Sequence, residues 1–217
     1  MGSGLGASFR PDGATGGYLT YFYPGAAAML VLFTSIFSMI SLIQDRNEGV
    51  LQGVLVSPVP RSAIVLGKVC GGTTLAVGQA AFFLVLAPLA GIPLDLVSAL
   101  VFLGAATLTS LALTSFGFLL AWPMGSVQGF HAIMNLVLFP AWLLSGAIFP
   151  ASGAAVWIQW LMKLNPLTYG VAAMRAALPA TRIVGGPSAA TIWGLSVLAA
   201  LVGFGLAVYQ VRRPIRP

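Results

Sequence analysis

The sequence predicts an all-α integral membrane protein with about five transmembrane helices. Three observations predict it. Of 217 residues, 59% are apolar and 6% are charged, against about 25% charged in a soluble domain. The charges also leave long gaps: 32 residues between Asp12 and Asp45, 26 between Lys68 and Asp95, 67 between Asp95 and Lys163, and 29 between Arg182 and Arg212. A spanning helix needs about 20 apolar residues, so three gaps hold one span each and the longest holds two. Finally, the apolar runs do not alternate as barrel strands do. A mean hydropathy of +0.98 excludes a disordered chain. The ten Lys and Arg residues are scattered, which argues against a nucleic-acid surface.

Residues 1–18 are Gly-rich and polar and read as a flexible tail without the apolar core of a signal peptide. Residues 19–217 form the membrane domain, and its first span covers 20–43. The polar loop 44–62 follows. There, Asp45 and Glu48 have the spacing of a capping box. Val50, Leu51, Val54 and Leu55 then give one apolar face of a short helix, stopped by Pro58 and Pro60. Such a helix lies in the interface plane or docks on a partner. The second span covers 63–89 and ends before Gly91-Ile92-Pro93. It carries Gly67 and Gly71, a pair that permits close helix approach.

The third span covers 96–121 and ends at Trp122-Pro123-Met124-Gly125. The fourth covers 130–149, with Pro140 as an internal kink and Phe149-Pro150 as its stop. Segment 150–187 contains two short helices. Val156, Trp157, Trp160, Leu161 and Leu164 share one side of the first; two tryptophans on such a face suit the headgroup layer. Asn165-Pro166 breaks it, and Thr168 to Leu178 forms the second, with Arg175 near its end. The last span covers 189–211. Arg212, Arg213 and Arg216 abut it, and the loop at 91–95 has no base. The excess of Lys and Arg therefore puts the C-terminus and loop 44–62 on the cytosolic side.

The chemistry of most enzymes has no residues to use here. Cys70 is the only cysteine and His131 the only histidine, so neither an internal disulfide nor a cysteine or histidine metal cluster is expected. No carboxylate lies inside a span, which argues against ion-driven transport. A membrane-embedded lipid-modifying enzyme is disfavoured for the same lack of clustered His, Asp and Glu. Leu66-Gly67-Lys68-Val69 has the Gly-Lys of a phosphate loop without its upstream glycine or following hydroxyl residue. The chain is expected to bind no ATP, metal or cofactor by itself.

Several ordered motifs carry a resemblance. Asp45-Arg46-Asn47-Glu48-Gly49-Val50-Leu51, then Leu55-Val56-Ser57-Pro58-Val59-Pro60-Arg61, then Leu66-Gly67-Lys68, is similar to the first cytosolic loop of type-2 ATP-binding-cassette permeases. Upstream, Tyr21-Phe22-Tyr23-Pro24-Gly25 resembles that family's helix entry. Downstream, Leu144-Ser145-Gly146-Ala147-Ile148-Phe149-Pro150 and Asn165-Pro166-Leu167-Thr168-Tyr169, with Arg175, resemble its late signatures. The resemblance covers about residues 18–212.

The resemblance implies a permease subunit of an exporter in a bacterial plasma membrane. It implies a second permease and a separate ATPase subunit as partners, with ATP and Mg on the ATPase. Asp45, Arg46, Glu48, Gly49, Leu51, Ser57, Pro58, Arg61, Gly67 and Lys68 would form the ATPase-coupling loop. Trp157, Trp160, Asn165, Pro166, Tyr169 and Arg175 would belong to a re-entrant outer hairpin that caps the exit. Cargo in that family includes drugs, lipid-linked saccharides and other amphipathic molecules. Family members usually have six spans, so the five expected here point to a truncated or misassigned start, and a non-transporting membrane anchor is the alternative reading.

Overall fold

The computed structural model describes residues 18–149, 154–181 and 187–212. Residues 1–17 of the expected tail 1–18 lie outside them, and Tyr18 already opens the first helix. The elements are α1 (Tyr18–Phe37), α2 (Ile40–Asn47), α3 (Val50–Val56), α4 (Arg61–Val85), α5 (Leu96–Ala121), α6 (Val127–Leu143), α7 (Val156–Leu164), α8 (Pro166–Ala177) and α9 (Ala189–Arg212). Among the described residues there is no strand.

Among the described residues, four helices are long and apolar enough to cross a membrane: α1 continued through α2, then α4, α5 and α9. The expected fourth span is the shorter α6, with 17 residues. At 1.5 Å per residue it reaches about 25 Å, against a hydrocarbon core of about 30 Å. It starts before residue 130 and stops at Leu143, where 144–149 turn instead of continuing to 149. The expected 63–89 span is likewise shortened. Its helix ends at Val85, and Pro88 sits in a separate 3-10 turn, Ala87–Ala90. Proline has no N–H to extend the ladder.

Local chemistry sets the helix starts. Asp95 precedes α5 and accepts from the Ser98 N–H at 3.1 Å. Ser126 precedes α6 and accepts from the Gly129 N–H at 3.2 Å. Both satisfy donors that a helix N-terminus leaves open. The first span bends at Ser38-Met39, between α1 and α2. Ser38 and Ser41 there donate their hydroxyls to the carbonyls of Ser35 and Ser38, a back-bonding that favours bends.

α5 is the centre of the bundle. It packs against α1, α4, α8 and α9. Small and hydroxyl residues make this possible. A Cβ on Gly170 of α8 would lie 2.5 Å from Thr109 Oγ1 of α5, so only glycine permits that approach. Ser35 donates to Ser110 at 3.0 Å, and Thr73 and Thr114 share a bond of 3.2 Å. Thr34 bonds Gln79 beside them. This polar seam ties α1, α4 and α5 together at membrane depth. α6 stands to one side, against α1 and α2. It buries a single stripe of Phe130, Met134, Leu138 and Trp142.

Candidate functional site

Two clusters collect the residues that the sequence singled out, one at each end of the bundle. The first is built on α2 and α3. Asp45 lies in the last turn of α2 rather than at a helix start, so the expected capping box does not form. The chain is already helical there, and Gly49 at φ 80° makes the left-handed turn into α3. Asp45 instead pairs with Lys68 of α4 at 2.6 Å. Lys68 also donates to Ser41 at 3.0 Å. The side chains of this pair are 24% and 32% exposed, so water still screens the pair.

Next along α2, the Arg46 guanidinium stands 5.2 Å over the Trp122 ring and donates to Met124 O at 3.4 Å. Asn47 donates to Gly125 O at 3.3 Å. These contacts fix α2 to the turn between α5 and α6. At the far side of α3, Ser57 Oγ donates to Val54 O at 2.6 Å, and Pro58 follows where the helix stops. Arg61 then donates to Val211 O of α9 at 3.4 Å. The expected apolar face of α3 divides: Leu51 is 4% exposed and buried, while Val50 is 52% and Val54 38% exposed. Glu48 points to solvent. Gly67 has open space around it, as does Gly71. The close approach on α4 is made by Gly72, against Ser38, Thr114 and Met39.

The second cluster lies at the other end, where 144–149 leave the helical ladder. Non-helical backbone at membrane depth must find its partners within the protein, and it does. Leu144 N–H serves Pro140 O at 2.9 Å. Asn165 Nδ2 donates to Ala141 O at 2.6 Å, while its Oδ1 caps α8 by accepting from Leu167 N–H at 3.0 Å. Pro166 occupies the first turn of α8, where its missing N–H costs nothing. Ser145 donates to Trp142 O at 2.5 Å. Thr168 Oγ1 lies 3.5 Å from Leu144 O.

Gly146, at φ 78°, turns its carbonyl toward two donors. Tyr21 OH reaches it at 3.3 Å and Arg175 Nη2 at 3.2 Å. Arg175 is 8% exposed, donates also to Tyr21 O at 3.3 Å, and lies 4.4 Å over the Tyr21 ring. Its Nε has no partner among the described residues. Trp142 Nε1 donates to Gly25 O at 2.9 Å. A Cβ on Gly25 would lie 2.6 Å from Ala147 O, so the glycine admits the turn against α1. Tyr169 OH donates to Lys163 O at 2.8 Å, joining α7 to α8. Trp157 and Trp160 are 65% and 62% exposed.

The sequence therefore marked Asp45, Arg46 and Lys68 at one end and Asn165, Tyr169 and Arg175 at the other. It missed Ser41, Trp122 and Met124 as partners of the first cluster and Trp142 as a partner of the second. Only the turn signal at Trp122-Pro123 hinted at any of these. Among the described residues no three His, Cys, Asp or Glu approach closely enough to hold a metal ion.

Comparison with known proteins identifies the family. The protein ycf38 of Cyanophora paradoxa, named as a transport permease, is 29% identical over 78% of this chain and 59% of its own length. YbhR of Escherichia coli (strain K12), named as a probable multidrug ABC transporter permease, is 28% identical over 70% of this chain and 42% of its own. Nodulation protein J of Rhizobium meliloti (strain 1021) is 27% identical over 100% of this chain and 82% of its own. The chain thus spans about half the length of the first two. Residues 4–178 match the ABC-2 type transporter model, and the chain belongs to that family of multi-pass membrane proteins.

Proposed function

We propose that the chain is the membrane subunit of an ATP-driven exporter, paired with a second permease and powered by a separate ATP-binding-cassette ATPase that binds ATP and Mg. The observation that carries this reading is the α2–α3 element. It is anchored on two sides, through Asp45 to Lys68 and Arg46 to the 122–126 turn, and Arg61, which opens α4 just after it, is tied to α9. Yet it leaves Glu48, Val50, Val54 and Val56 uncovered. A fixed base under an uncovered mixed surface suits a lever that a partner pushes. Gly49 and Ser57-Pro58 bound the lever, Leu51 seats it, and Gly67 keeps the adjacent surface of α4 low.

In this reading α2–α3 faces the cytoplasm of a bacterial plasma membrane, with the C-terminus on the same side. The α7–α8 pair closes the exit, with Asn165, Pro166, Tyr169 and Arg175 holding it in place. An amphipathic drug, lipid or saccharide-linked molecule is the cargo class; the name of YbhR supports the first of these. The test uses the permease co-expressed with its ATPase. Glu48→Arg is expected to leave membrane insertion intact and to abolish efflux of an amphipathic fluorescent dye while ATP hydrolysis continues. Unchanged efflux would remove the coupling role from this loop.

A further inference from the structure

We propose that α7 is a lipid-reading element that seats in the headgroup layer and binds an anionic phospholipid through Lys163. Its nine residues, Val156–Leu164, lie beyond the spanning segments, at the end of the bundle opposite α2 and α3. Only Met162 is buried, at 2% exposure, under the 144–149 turn. The opposite side is bare: Val156 is 70%, Trp157 65%, Trp160 62% and Leu164 77% exposed. Tryptophans on such a face favour the boundary between hydrocarbon and water, where the ring is apolar and the N–H is wet.

The charge on this face selects the occupant. Lys163 holds its ammonium 5.0 Å over the Trp160 ring and makes no ion pair among the described residues. Asp95 is the sole described carboxylate at this end, and it caps α5 through Ser98. A second copy of this chain pressed against α7 by the same end would bring no free carboxylate and would bury an ammonium without a counter-charge, which is costly. A phospholipid phosphate supplies the anion where Lys163 already stands, with acyl chains below to cover Trp157 and Leu164. Tyr169 OH on Lys163 O fixes the end of α7 that carries the charge.

The test places the full chain in phosphatidylcholine nanodiscs containing a minor fraction of brominated phosphatidylglycerol or brominated phosphatidylcholine. Tryptophan fluorescence is expected to be quenched more by the anionic lipid. Trp157→Phe with Trp160→Phe removes that difference. Lys163→Gln lowers the anionic preference about fivefold, the worth of one basic residue at an anionic surface, and Lys163→Arg restores it. Equal quenching by both lipids, or an unchanged preference in Lys163→Gln, overturns the proposal. A spin label at Leu164→Cys on a Cys70→Ser background gives a second readout, independent of transport and of the ATPase. Headgroup depth supports the lipid seat. Full water exposure, or dipolar coupling to a second copy, rejects it.

Discussion

At the scale of single residues, two polar side chains do unlike work at the same end of the bundle. Asp95 is fully exposed and caps α5. Its bonds to Ser98 hold its carboxyl below the ordinary value of 3.8. A lowered folded value means that the cap contributes above the ordinary carboxylate range and is lost as pH falls through that lowered value. Thermal stability of the detergent-solubilised chain should therefore decline below about pH 4, and Asp95→Asn should flatten that part of the curve. Arg175, by contrast, is buried without a carboxylate beside it, held by two carbonyls and a ring. A hydrogen bond to a charged group contributes about 1.5–3 kcal/mol. Arg175→Ala should destabilise the α8 end by about that amount in a denaturation series and loosen its hold on the 144–149 turn. Co-purification with the proposed ATPase should persist; its loss would contradict the proposal that the ATPase docks at the α2–α3 end.

At the scale of elements, sequence and structure agree where a helix is long and uniformly apolar. α5 and α9 fall almost where the charge gaps put them, because about 20 apolar residues admit no other structure in lipid. Agreement fails where distant groups decide. Nothing local told Asp45 to pair with Lys68, so a capping box was the natural reading. The end of α6 was misplaced because Ala141 and Gly146 find donors on α1 and α8, 24 to 125 residues away. In the sequence Trp122 belongs to a turn signal, yet in the fold it is the platform for Arg46. The α5–α8 contact depends on Gly170, which sequence inspection did not single out. Gly170→Val should cost about 1–3 kcal/mol through overpacking against Thr109. A matched loss for Gly53→Val, at a glycine with open space around it, would remove packing as the cause.

Taken whole, the described bundle gathers its buried hydroxyls in the α1–α4–α5 seam, while its outer face is mostly apolar, with Thr74, Gln79 and Asn135 exposed along α4 and α6. Cys70 provides a native reporter of that arrangement. It is exposed on α4, about 13 Å from the start of that helix at 1.5 Å per residue. A membrane-impermeant maleimide should leave it unlabelled in sealed vesicles and in nanodiscs, and label it after denaturation. Rapid labelling in nanodiscs would put water, not lipid, along that face of α4.

The break after α6 has a consequence for biogenesis. Synthesis delivers Ala141 24 residues before Asn165, and Gly146 29 residues before Arg175. During that interval Gly146 O can already take Tyr21 OH of α1, whereas Ala141 O lacks its Asn165 donor, and hydrocarbon offers no replacement. The nascent segment therefore gains by waiting at the wet edge of the insertion machinery until α8 emerges. Insertion of α6 and α8 as one unit is the expected outcome, and glycosylation-site mapping of truncated nascent chains ending before and after Asn165 checks it.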